Sequence, residues 1–164
     1  MNTRPVPLAA TLLLAAAMAA PTAAHAAVAC VDFLAFPDNA ALAENFNLGG
    51  FGFHDRAGGF MPFVNVFVDV IGQPVHGMQF DKRSLRIKPP VPALSVDLRV
   101  GAFAGAGLTI QAYDAVGGLQ DNAGLPNDAT MHTVTLTAAT APIALIKLKG
   151  GGYEGIVNGL CSTS

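Results

Sequence analysis

The feature that most constrains this chain is the recurrence, from residue 63 onward, of short segments in which every second residue is aliphatic. In Val64-Asn65-Val66-Phe67-Val68-Asp69-Val70 the valines share one side of an extended chain, and in Leu94-Ser95-Val96-Asp97-Leu98-Arg99-Val100 the aliphatics oppose Ser, Asp and Arg. A period of two belongs to a strand with one buried face, whereas the apolar positions of a helix recur every three to four residues. The same alternation marks 108–112 and 133–137, and it sets Ala144, Ile146 and Leu148 against Lys147 and Lys149. Shorter strand candidates are 31–36, 51–54, 78–80, 85–87 and 156–161. Gly58-Gly59, Gly72-Gln73-Pro74, Pro89-Pro90, Gly105-Ala106-Gly107, Gly117-Gly118 and Gly150-Gly151-Gly152 separate these segments as turns. Only 39–45 suggests a helical turn, and 118–130, rich in Asn, Asp, Gly and Pro, reads as an exposed loop. Many short strands without a long helix predict an all-β fold, an antiparallel β-sandwich of jelly-roll type.

The start of the chain has a different character. Arg4 precedes an uncharged Ala- and Leu-rich stretch from Val6 to Ala20, which Pro21 ends and Ala24-His25-Ala26 follows. Positive flank, short apolar core and small-x-small site make residues 1–26 a predicted signal peptide, with one β-sandwich domain over 27–164. The apolar run is shorter than the roughly 20 residues a membrane helix needs, so no integral membrane segment is expected in the mature chain. An exported protein with two cysteines, Cys30 and Cys161, most simply pairs them. Such a bridge requires the two ends to lie side by side, Cα atoms within about 7 Å. The alternative makes Cys30 a lipidated residue, because Ala27-Val28-Ala29-Cys30 loosely resembles a lipobox. The formal net charge of −2, from 9 Lys+Arg and 11 Asp+Glu, lacks the clustered basic excess that nucleic-acid binding needs.

Three segments, Cys30-Val31-Asp32-Phe33, Leu108-Thr109-Ile110-Gln111-Ala112-Tyr113-Asp114-Ala115-x-Gly117 and Ile156-x-x-x-Leu160-Cys161, carry a resemblance to bacterial exported jelly-roll domains of the galactose-binding-like group. The resemblance implies first and last strands that pair, adjacent termini, glycan binding by loops at one end of the sandwich, and in some members a structural calcium ion near the termini. Candidate calcium ligands are Asp32, Asp38 and Asn158. Related chains carry an acid where this one has Asn158, and a neutral amide adds no charge to a cation site.

Motifs that carry chemistry are few in this chain. His54, His76 and His132 are widely separated and match no zinc-ligand spacing, and no G-x-S-x-G elbow occurs. Dispersed carboxylates could still serve a glycoside-type hydrolase, but Asp69, Asp97 and Asp114 fit polar strand faces or turns, Asp114 as a hairpin residue bonding backbone amides. For sugar binding the aromatic supply is thin, with no Trp and only Tyr113 and Tyr153. Tyr153 and Glu154 after three glycines, and Phe60 after two, are candidate contacts, although Gly-rich hairpins explain both segments without a ligand. Ser84, Arg86 and Lys88 share one strand face on which an acidic polysaccharide could lie. Such a stripe is more often a solvated face whose charges discourage edge pairing, and Pro89-Pro90 beside it fits that role. The expectation is a non-catalytic secreted or periplasmic binding module for carbohydrate or another cell-surface component. The alternatives are a structural or adhesive surface protein and, further off, the small hydrolase. Oligomeric state is left open.

Overall fold

The computed structural model describes residues 26–55, 62–81 and 83–164. The predicted signal peptide, apart from Ala26, lies outside these residues, as do Gly58-Gly59 and Phe60. Within them the chain forms β1 (Val28–Asp32), β2 (Asn45–Leu48), β3 (Phe51–Asp55), β4 (Phe63–Val68), β5 (Pro74–Phe80) and β6 (Leu85–Lys88). It continues with β7 (Ser95–Ala102), β8 (Leu108–Tyr113), β9 (Leu119–Leu125), β10 (Met131–Thr137), β11 (Leu145–Gly150) and β12 (Gly155–Thr163). One sheet, A, runs β10-β7-β12-β5-β4 with β1 also on β12; the other, B, runs β2-β3-β6-β11-β8-β9. Every pairing is antiparallel. The fold is the expected jelly-roll-type sandwich, its two inner faces burying Phe33, Phe51, Phe80, Leu98, Ile110 and Ile146 completely.

Strand β12 organises sheet A. One of its edges pairs with β7 along its length, and the other is shared, Gly155–Val157 facing β5 and Gly159–Thr163 facing β1. The hand-over falls at Asn158, where the register with β7 shifts by a bulge. Cys30 and Cys161 are direct cross-strand partners 4.1 Å apart at Cα and form the disulfide. That bond uses the Cys30 sulfur and removes the lipidation alternative. Strand β1 and the end of β12 are therefore adjacent, and Ser164 N–H donates to Ala27 O at 3.0 Å.

Four local expectations are corrected. No helical turn forms over 39–45: Asp38 accepts the Asn39 and Val66 N–H groups, each at 3.1 Å, and Ala41 bridges Phe63, which lays this segment along the edge of β4. The first strand ends at Asp32 rather than Phe36, because the Asp32 carboxylate accepts the Leu34 N–H at 3.1 Å and turns the chain inward at Phe33. Residues 119–125, expected within a loop, are the edge strand β9, which buries Gln120. The Gln120 Oε1 accepts the Thr140 and Ala141 N–H groups at 2.9 Å each. Only the first valine of the β4 stripe meets the core: Val64 is buried, whereas Val66, Val68 and Val70 are 41, 65 and 63% exposed. Phe67, on the opposite side, packs against Phe103 at a centroid distance of 5.3 Å.

Asp114 takes its expected place, its Oδ1 accepting Val116 N–H at 2.9 Å and Gly118 N–H at 2.7 Å in the β8–β9 hairpin. The β2–β3 hairpin turns through Gly49 and Gly50, with φ of 56° and 84°. Two successive left-handed residues make the tight turn that suits the strand twist and favours glycine. Cβ atoms there would also press within 3.2 Å of Val31 and 3.1 Å of Pro90.

Because the disulfide joins residues 131 positions apart, its loss frees nearly the whole chain in the unfolded state. Replacing both cysteines with serine is expected to lower the unfolding free energy by about 2–5 kcal/mol in denaturant titration, with the β-sheet circular-dichroism spectrum retained.

Candidate functional site

The outward side of sheet B follows from alternation. In β6, Leu85 and Ile87 are fully buried and Arg86 and Lys88 face out; in β11, Ile146 and Leu148 are buried and Lys147 and Lys149 face out. Register then aligns these outward residues across strands. Asn45 stands opposite His54, His54 opposite Arg86, Arg86 opposite Lys147, Lys147 opposite Gln111, and Gln111 opposite Asn122. Six strands thus contribute one continuous transverse row of polar side chains, with a spacing of about 4.8 Å between neighbours.

Contacts within the row hold several members in place. The His54 ring Nδ1 and Asn45 Oδ1 are 2.5 Å apart. Tyr113 O–H donates to Gln111 Oε1 at 2.9 Å, and the Lys147 ammonium lies 4.1 Å over the Tyr113 ring. Arg86 differs, because its Nε–H is buried without a hydrogen-bond acceptor. Among the described residues the one ion pair is Asp128 with His132 of β10, on sheet A, so no carboxylate pairs with Arg86, Lys88, Lys147 or Lys149.

A second row runs Asn47, Gly52, Lys88. Gly52 has no side chain between its neighbours, and a hollow of about 380 Å³ opens there, lined by Asn45, Asn47, Gly52, His54, Arg86 and Lys88 among others. The basic stripe predicted from sequence is therefore real, but β6 lies between β3 and β11 rather than at an edge. Protection against edge pairing does not explain it.

Tyr153 and Glu154 lie elsewhere. They line a hollow of about 600 Å³ at one end of the sandwich with Ala104, Gly105, Ala106, Lys149, Gly150 and Gly152. Its walls are two loops in backbone contact: a Cβ on Gly152, at φ 61°, would come within 2.6 Å of Ala104 O. Tyr153 O also accepts the Gln79 side-chain amide. Lys149 lines this hollow and Lys147 stands two residues back on the same strand, so β11 runs from the sheet face to the loop end. The predicted contacts thus divide between two places, Arg86 on the face and Tyr153 with Glu154 at the loop end, while Phe60 lies outside the described residues.

The candidate calcium ligands each bond a backbone group. Asp32 caps the turn after β1, Asp38 bonds Asn39 and Val66, and the Asn158 amide donates to His76 O across the bulge. Among the described residues no group of three His, Cys, Asp or Glu side chains could hold a metal ion. Two carboxylates and one amide, each engaged with a backbone group, make a weak donor set for a cation.

Two features of the site escape the sequence patterns. Gly52 in mid-strand is the only signal for the hollow, since an interior strand glycine often marks a close approach. Asp55 ends β3 fully buried, with Oδ1 unpartnered and Oδ2 accepting the Asp81 N–H at 3.3 Å. Burial pushes its carboxyl from 3.8 up to about 6, and the charges of Asp81 and Glu44 push the same way against that hydrogen bond.

Comparison with known proteins finds no matching family model and no matching curated protein. Similar solved structures include the C-terminal family 6 carbohydrate-binding module of LamC, a marine laminarinase from Zobellia galactanivorans. It shares 11% identity over 84% of this chain and 100% of the module, with a TM-score of 0.43. A point mutant of a family 29 carbohydrate-binding module shares 13% identity over 83% of this chain and 91% of that one, with a TM-score of 0.46. The module CsCBM6-3 from Clostridium stercorarium, solved with cellobiose, shares 17% over 70% and 94%, with a TM-score of 0.37.

Asp55 predicts a pH dependence. A carboxyl raised in the folded state stabilises the fold fully below pH 3.8, and that contribution is lost as pH rises through about 6. Asp55→Asn is expected to remove this part of the decline. At pH 7.5 the variant should unfold at a higher temperature than the parent, with a gain of up to roughly 3 kcal/mol; at pH 3.5 the two should converge.

Proposed function

We propose that this chain is an exported, non-catalytic carbohydrate-binding module whose ligand lies across the outer face of sheet B. The observation that carries the reading is the uninterrupted row Asn45, His54, Arg86, Lys147, Gln111 and Asn122. A polysaccharide presents hydroxyl groups at regular intervals along an extended chain, and recognising it requires hydrogen-bonding groups at a comparable pitch on a rigid surface. Strands set across the ligand supply that pitch, and buried residues on their other face fix each side chain. Amide, imidazole, guanidinium and ammonium groups together offer both donors and acceptors. The hollow over Gly52 gives one sugar unit a place to sit below the level of the row. The predicted export signal and the terminal disulfide fit such a protein acting outside the cytoplasm.

A second reading, a structural or adhesive protein, is favoured by one observation, the exposed valines 66, 68 and 70 followed by Ile71 at 77% exposure. The adjoining edge of β4 is partly closed by residues 38–42, so association would use side chains more than strand addition. Sedimentation velocity separates the two: a concentration-dependent dimer abolished by Val68→Lys supports this second reading, and a monomer at all concentrations removes it.

The primary test is affinity electrophoresis in gels containing a panel of soluble polysaccharides. At least one should retard the protein, and Gly52→Leu, which fills the hollow, should weaken that retardation by about tenfold without lowering the melting temperature. Retardation unchanged by Gly52→Leu but abolished by Tyr153→Ala would move the site to the loop end.

A further inference from the structure

Charge is distributed unevenly between the two sides of sheet B. Of the 9 Lys and Arg residues in the chain, Arg86, Lys88, Lys147 and Lys149 stand on its outer face. Among the described residues no strand position on that face is acidic: Asp55 and Asp121 occupy inward positions, opposite Leu85 and Ala112, and Asp121 Oδ2 accepts the Thr137 N–H at 2.8 Å. A protein with more acids than bases has thus collected cations on one surface and kept carboxylates out of its strands' outward positions.

The arrangement is unfavourable by itself. Arg86 and Lys147 are direct cross-strand partners, and like charges so placed destabilise a sheet. No acid lies between them to relieve it, and the Arg86 Nε–H has lost water without gaining an acceptor. Lys147 recovers part of the cost on the Tyr113 ring. That same contact occupies the Tyr113 ring, which Lys147 covers.

We infer that the ligand of this face is an acidic polysaccharide whose carboxylate or sulfate groups bind between Arg86 and Lys147. The inference rests on the proposed binding function and specifies its substrate class. A guanidinium receives such an oxyanion with paired N–H donors while the neighbouring ammonium supplies a second charge. Lys88 and Lys149 stand on the same strands two residues away and extend the positive surface to further repeats, while Asn45, His54, Gln111 and Asn122 remain for hydroxyls. The anion would also remove the repulsion that the free protein carries, so binding should stabilise the fold.

The test uses the purified disulfide-bonded protein with polygalacturonate, the neutral glucan laminarin, and polyglutamate as an acidic polymer without sugars. Polygalacturonate should bind with an affinity that falls as salt rises, and it should raise the melting temperature. Arg86→Gln and Lys147→Gln should each weaken it about tenfold. Both variants should melt at or above the parent temperature, since each removes one of two repelling charges; Arg99→Gln, on sheet A, should bind normally. Laminarin bound as tightly as polygalacturonate and indifferent to Arg86→Gln overturns the acidic specificity while leaving the binding module intact. No binding of either polysaccharide overturns both. Polyglutamate bound as tightly as polygalacturonate, with the same loss in the variants, shows attraction to charge alone and overturns the assignment to a glycan.

Discussion

The in-register pairing of β6 with β11 is the constraint on which both the core and the proposed site depend. Leu85 faces Leu148 and Ile87 faces Ile146, all four buried. Because side chains alternate, fixing these pairs inside fixes Arg86 against Lys147 outside. A slip by one residue would put two cations in the core and the aliphatics in water, so the apolar pairs enforce a like-charge contact that would not form unaided. Packing energy therefore positions the groups proposed to bind. The cost of their repulsion is small beside the burial of four large aliphatic side chains, each worth about 1.5–3 kcal/mol.

The same logic explains how the row extends to both edges. Antiparallel registers carry the alignment from β6 to β3 and β2 on one side and from β11 to β8 and β9 on the other. Sheet A serves as the other half of the core and joins the ends of the chain through β1, β12 and the disulfide. The Gly49-Gly50 turn packs against Val31 of β1, which ties the first hairpin of sheet B to the clamped termini. The polar outer face of sheet B is thus backed by the sheet that carries the disulfide.

Much of the fold was legible because it is written locally. Alternation located the strands with buried faces, glycine and proline clusters located many of the turns, and two cysteines near the ends implied adjacent termini. Asp114 was readable as a turn residue because its bonds span only a few positions. Strands β2 and β9 were not, since Asn45-Phe46-Asn47 and Gln120-Asp121-Asn122 look like turn sequences; they are edge strands whose pairing is supplied by β3 and β8. The Asp38 contact with Val66 spans 28 residues and has no local signature. The site was half legible. Arg86 and Lys88 stood out as a basic stripe, and Lys147 and Lys149 as the polar side of an alternating strand, but their juxtaposition depends on a register between segments some 60 residues apart in sequence. Nothing in either segment specifies that pairing. The burial of Asp55 was hidden for the same reason: it ends a strand whose inward position becomes visible only when β3 is set beside β6.

The most direct measurement is an amide nitrogen–proton NMR titration of the labelled protein with an oligogalacturonate. Shift changes should trace the transverse row through residues 45, 54, 86, 147, 111 and 122, one site on each of six strands, and leave the opposite sheet unmoved. Changes confined to residues 104–106 and 150–154 at the loop end, or spread over β7 and β10 of sheet A, would contradict the proposed site.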